Sequence, residues 1–137
     1  MTASAGESEQ LPITGDDDVV RVRQLVRVFA QRVKLSLVNQ TKLVTAASEL
    51  ARNTLVYGGG GMARVEIVTD GRREGVRAVF HDDGPGIPDL GLALADGWSS
   101  GSGLGLGLSG SRRLVDQFDL DTEVGRGTTV TVVKWKA

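Results

Sequence analysis

Val22, Leu25, Val26, Phe29 and Val33 recur at three- and four-residue spacing, the period of a helix that buries one face. Asp16 precedes the run as a candidate N-cap. Asp17 and Asp18 suit the positive end of the helix dipole, and Lys34 and Leu35 close the element. Leu43, Val44, Ala47, Leu50, Ala51, Thr54 and Leu55 repeat the helical period, with Ser36 as N-cap. They predict a second helix over 37–56, which Tyr57 and four successive glycines terminate. The period then switches to two. Met62 to Thr69 and Val76 to Phe80 read as a hairpin around the turn from Asp70 to Gly75. A glycine-rich stretch follows, after which Leu108, Leu114, Val115 and Phe118 restore a helical pattern that starts at Leu106 or Leu108. Leu120 to Val124 and Thr128 to Trp135 close the chain as two strands about Gly125-Arg126-Gly127. Leu11 to Thr14 forms an edge strand, where Pro12 is tolerated. The order predicts an α+β two-layer sandwich, with helices on one face of a mixed, mostly antiparallel sheet. Residues 1–10 read as a flexible tail and 11–137 as one domain.

Composition narrows the function classes. The chain has no Cys and a single His, His81, which excludes disulfides, thiolate metal sites and cysteine nucleophiles. Sixteen basic residues face 17 acidic ones, so overall charge offers no case for nucleic acid or an anionic membrane. No apolar run approaches the ~20 residues of a membrane span. The acidic N-terminus lacks the features of a signal peptide, and the expected location is the cytoplasm. Glycine is the outlier, at 19 of 137 residues, where about 7% is usual. Nine glycines lie between Gly84 and Gly110, and four form the run Gly58 to Gly61.

Four groups of residues carry candidate chemistry. Glu49 and Asn53 stand one helical turn apart and project from one face. A carboxylate there can take a proton from a hydroxyl, and a carboxamide oxygen can ligate Mg²⁺. The same spacing also describes an ordinary solvated face. Asp82, with Gly84 and Gly86, follows directly on a predicted strand. Its carboxylate can accept from an exocyclic amine such as that of adenine, while the glycines allow a sharp bend and close approach. An acidic turn has the same residues. Gly101, Gly103, Leu104 and Gly105 belong to an alternating run just ahead of a helix, which presents backbone N–H groups as a phosphate cradle. Pure low-complexity sequence looks similar, but no Gly-Lys-Ser/Thr follows, so the run is not a P-loop. Thr128 and Thr129, entering the last strand, can reach a nucleotide from the sheet or simply favour the strand.

In this order the four groups resemble the Bergerat ATP-binding fold of the GHKL superfamily, over roughly residues 10–135. Within it, the segment from Ser48 to Asn53 and the ending Val132-Val133-Lys134-Trp135 look most like the small serine kinases of bacterial stress and sporulation signalling, the switch kinases of the stressosome. The resemblance implies Glu49 as general base and Asn53 as Mg²⁺ ligand. It implies Asp82 as acceptor for the adenine amine, with Gly84 and Gly86 giving room beside the base. It implies an ATP lid over 88–102, and Gly101, Gly103 and Gly105 around the phosphates. Thr128 or Thr129 would support Asp82. No Lys or Arg lies between His81 and Ser111, so the γ-phosphate falls to Mg²⁺, backbone N–H groups and Arg52, Arg112 or Arg113. The chain has no phosphoacceptor-histidine helix, and His81 stands beside the adenine position, which removes a histidine-kinase reading. The implied activity is phosphorylation of a STAS-domain antagonist protein, with activation of a phosphatase on release. The alternatives are an anti-sigma factor of the same fold, which also binds a sigma factor, and a nucleotide-gated binding module without catalysis.

Overall fold

The structure is a computed structural model that describes residues 6–87 and 107–136. Among the described residues, five strands and three helices follow in the order β1 (Ser8–Ile13), α1 (Asp16–Val33), α2 (Leu37–Val56), β2 (Gly61–Thr69), β3 (Glu74–Asp82), α3 (Gly107–Leu114), β4 (Gln117–Glu123) and β5 (Gly127–Trp135). The strands form one sheet in the order β1-β2-β3-β5-β4, and every described pairing is antiparallel. The helices cover one face, giving the α+β two-layer sandwich that the periodicity predicts. Val22, Val26, Phe29 and Val33 of α1 and Leu43, Ala47 and Leu50 of α2 meet Ala63, Val65, Ile67, Val76, Ala78, Phe80, Val130 and Val132 of the sheet. The inward residues of each strand are two apart, as the pleat requires.

Four local expectations are corrected. The strand at the N-terminus begins at Ser8, so residues 8–10 of the expected tail pair with Glu66, Val65 and Arg64 of β2. Asp16 is not the N-cap; Gly15 is, and the capping chemistry is carried by Asp18. Asp18 accepts from the backbone N–H and the hydroxyl of Thr14, both at 2.8 Å, which holds its carboxyl below the usual range. Ser36 does cap α2, accepting from the Asn39 N–H at 3.1 Å. The third helix stops at Leu114 rather than running to Phe118, and β4 begins at Gln117 rather than Leu120. Asp116 ends the helix by joining the sheet: its N–H donates to the Val133 carbonyl and its carboxylate accepts from the Trp135 N–H at 2.7 Å. Phe118 therefore packs on the core from a strand, opposite Val132. Among the described residues no helix is long and apolar enough to cross a membrane.

Candidate functional site: an aspartate-floored pocket between helix and sheet

The C-terminal half of α2 and the ends of β3 and β5 border an open pocket. Leu50, Asn53, Thr54 and Tyr57 line it from α2, Phe80 and Asp82 from β3, Thr128 and Val130 from β5, with Ile87 and Leu108 completing the wall. A concave, mostly apolar lining with a few convergent polar groups is the usual form of a small-molecule site. The polar groups are Asn53, Thr54, Asp82, Thr128 and the Tyr57 hydroxyl.

Asp82 occupies the last position of β3, opposite Thr128 of β5 and Gly61 of β2. The residue is 6% exposed. Burial pushes its carboxyl above the ordinary aspartate value, against the opposing pull of the Gly84 N–H, the neighbouring His81 and the Thr128 backbone. The Gly84 N–H donates to Oδ1 at 2.9 Å, leaving acceptor capacity on the carboxylate for a second donor. A methyl group at Gly58 would overlap the Asp82 side chain, so glycine just after α2 is what lets the carboxylate sit there.

The loop leaving Asp82 is pinned at three further points. The Tyr57 hydroxyl donates to the Gly86 carbonyl at 3.1 Å, the Gly125 N–H to the Pro85 carbonyl at 2.9 Å, and the Ile87 N–H to Thr122 Oγ1 at 2.9 Å. Thr122 Oγ1 in turn lies 2.8 Å from Thr128 Oγ1. Two expectations change here. Gly84 and Gly86 do not leave room beside a ligand. A Cβ at Gly84 would come within 2.8 Å of the Gly58 backbone, and one at Gly86, whose φ is +77°, would strike the Glu123 carbonyl. Both glycines allow backbone segments to approach one another, which shapes the pocket indirectly. Thr129 is not in the pocket. Alternation along β5 sends Thr128 inward and Thr129 to the outer face of the sheet, where its hydroxyl meets His81 Nδ1 at 2.7 Å. His81 likewise faces outward, away from the pocket, and its Nε2 lies 3.0 Å from Asp83 Oδ1.

On α2, Asn53 lines the pocket and Glu49, one turn earlier, is 4% exposed. A solvated face is thus ruled out for Glu49. Leu50, three residues before Asn53, lies beside it on the pocket wall, as helical spacing requires. Arg52 is partly exposed and does not line the pocket; Arg112 is on the exposed side of α3. Gly101, Gly103, Leu104 and Gly105, and the lid expected over 88–102, lie outside the described residues. Among the described residues no cluster of three or more His, Asp or Glu could hold a metal by itself. A single carboxamide donor fits Mg²⁺, which keeps waters and takes its remaining ligands from substrate phosphates.

Sequence reasoning missed Thr54, Tyr57, Ile87 and Leu108 as pocket residues. Leu50, Asn53, Thr54 and Tyr57 stand at helical spacing and were legible as one stripe once Asn53 was chosen; Ile87 and Leu108 depend on tertiary packing.

Residues 38–137 match the family model for histidine kinase-, DNA gyrase B- and HSP90-like ATPases, and the chain belongs to that family. It is similar to the serine/threonine-protein kinase RsbT of Bacillus subtilis, with 42% identity over 118 residues, which is 86% of this chain and 89% of that protein. Among solved structures it resembles the RsbU and RsbW domains of a Mycobacterium tuberculosis protein, with a TM-score of 0.65 at 19% identity over 93% of this chain. The chain spans about 31% of that structure's length, and the likeness is one of fold.

Proposed function

We propose that this chain is a protein serine/threonine kinase that transfers the γ-phosphate of Mg·ATP to a small partner protein, a STAS-domain antagonist. We further propose that release from that partner frees it to activate a phosphatase. The observation that carries the reading is the joint placement of Asp82 and Asn53 in one apolar pocket, with buried Glu49 a single turn from Asn53. The similarity to a kinase named for serine and threonine supports the choice of acceptor. The STAS and phosphatase assignments rest on the family resemblance alone.

In this reading the adenine amine donates to the Asp82 carboxylate, and Phe80, Ile87, Leu108 and Val130 exclude water from the ring. Thr128 holds the floor from β5, its hydroxyl bonded to Thr122. Asn53 offers its carboxamide oxygen to Mg²⁺, which neutralises phosphate charge when bound. Glu49 takes the proton from the acceptor hydroxyl as that oxygen attacks the γ-phosphorus; the bond to the bridging oxygen breaks and ADP leaves.

Incubation with γ-labelled ATP and a panel of purified STAS-domain proteins tests the reading. It predicts label on a serine or threonine of one of them, dependent on Mg²⁺. Binding of ATP without transfer to any of the panel would support a nucleotide-gated module instead.

A further inference from the structure

Between Val19 and Ser48 the chain carries six of its 16 basic residues and none of its 17 acidic ones. That stretch is α1 beyond its acidic first turn of Asp16, Asp17 and Asp18, together with the N-terminal half of α2, and three residues join the two helices. Two of the six cations are neutralised from outside the stretch, Arg21 by Asp18 and Arg32 by Glu7. Arg23, Arg27, Lys34 and Lys42 have no acidic partner among the described residues. Arg23 and Arg27 are one turn apart on α1, and Lys34 continues their stripe at the C-cap.

The stripe borders a groove. Arg27 lines it from α1, and Leu37, Gln40, Thr41, Val44 and Thr45 line it from α2. Leu37 is 77% exposed and its neighbour Val38 is 63% exposed, the two most water-accessible large apolar residues of α2, while Val44 is buried at the floor. Exposed apolar side chains beside unneutralised cations mark a surface that is incomplete without a partner. The ATP pocket takes its residues from the other half of α2, beginning at Leu50, so the two sites are separate.

We propose that the groove between α1 and the N-terminal half of α2 docks an acidic amphipathic helix of a partner protein, with Leu37 and Val44 receiving its apolar face and Arg23, Arg27, Lys34 and Lys42, in and around the groove, meeting its carboxylates. Charge complementarity selects the acidic partner, and concavity selects the helix. A planar bilayer cannot reach Val44 at the floor of a groove between two helices. No aromatic ring lines the groove to stack on bases. This inference goes beyond the kinase reading and needs neither ATP nor phosphotransfer.

The test uses a synthetic helical peptide with leucines at i, i+3, i+4 and i+7 and glutamates elsewhere, followed by fluorescence anisotropy with the full chain. The parallel probes are the same peptide with lysine for glutamate, a DNA duplex, and phosphatidylserine-containing vesicles. The acidic peptide should bind in preference to all three, more weakly as salt rises. The doubly substituted Arg23→Glu, Arg27→Glu protein should lose about tenfold or more in affinity, and Leu37→Asn several-fold. Both variants should bind ATP as the parent does, which shows that they fold and separates failure here from failure of the kinase reading. The proposal is overturned if the acidic peptide does not bind, if the lysine peptide, DNA or vesicles bind as well or better, or if folded variants bind it as the parent does.

Discussion

Replacing Asp82 by Asn changes one atom of the pocket and should cost ATP at least about a decade in affinity. The side chain is 6% exposed, so whatever it bonds to is largely shielded from water. One acceptor oxygen is occupied by the Gly84 N–H at 2.9 Å, and an asparagine oxygen can keep that bond. Its NH₂ group then points to where the carboxylate accepted from the adenine amine, and a donor faces a donor. A hydrogen bond to a charged group contributes about 1.5–3 kcal/mol, and an unpaired buried partner costs about 1–3 kcal/mol more. Even the smaller figure alone exceeds the roughly 1.4 kcal/mol that makes a factor of ten. The fold should not suffer. Burial raises the Asp82 carboxyl, which means that its ionised form opposes folding. A group whose folded pKa lies above its unfolded value favours the folded state at low pH and loses that contribution as pH rises through the folded pKa. At neutral pH the neutral amide therefore leaves stability equal or higher, and the difference from the parent shrinks on acidification below the aspartate range. Calorimetry with ATP and GTP on both proteins, with thermal unfolding alongside, reads all of this. GTP has an oxygen where adenine has its amine, so the parent should bind it poorly. Equal binding of ATP and GTP by the parent, or equal ATP binding by parent and Asp82→Asn, would refute the adenine-acceptor role.

Three further outcomes follow from the same geometry. Asn53→Ala should make ATP binding much less sensitive to Mg²⁺, read by titrating nucleotide with and without the metal; an unchanged dependence places the metal elsewhere. Thr128→Val should weaken ATP binding several-fold, because it breaks the Thr122–Thr128 hydroxyl pair under the pocket, whereas Thr129→Val on the outer face should leave affinity unchanged. Gly127→Ala should destabilise the protein by more than about 2 kcal/mol in denaturant unfolding, since φ is +112° and the added Cβ would overlap the Asp82 carbonyl; a stability equal to the parent would contradict the close approach of β5 to the end of β3.

The layered fold was legible because α1, α2 and the central strands carry strong periodicity, and the inward residues Val65, Ile67, Phe80, Val130 and Val132 follow directly from it. Boundaries failed where one side chain chose between two structures. Phe118 fits a helical stripe and a strand equally well, and only the bonds of Asp116 to Val133 and Trp135 decide for the strand. The positions of Asn53 and Asp82 at one pocket, with buried Glu49 a turn away, were readable from residue type and spacing. The functions of Gly84 and Gly86 were not, because a glycine in sequence does not say what its missing Cβ would have touched; here it is the Gly58 and Glu123 backbones. Thr129 was included for its hydroxyl, and the two-residue period of its own strand was the signal that excluded it.

The proposed function divides labour on α2: the pocket would bind the nucleotide, and Glu49 would activate the acceptor without contacting the nucleotide. Phosphotransfer in a single turnover, measured for the parent and Glu49→Gln at saturating Mg·ATP with a phosphorylatable STAS-domain protein, tests that division directly. Glu49→Gln should bind ATP as the parent does and transfer phosphate about 10²–10⁴ times more slowly, the range for loss of a general base. Transfer at the parental rate, or a loss of rate fully explained by lost ATP binding, would contradict it.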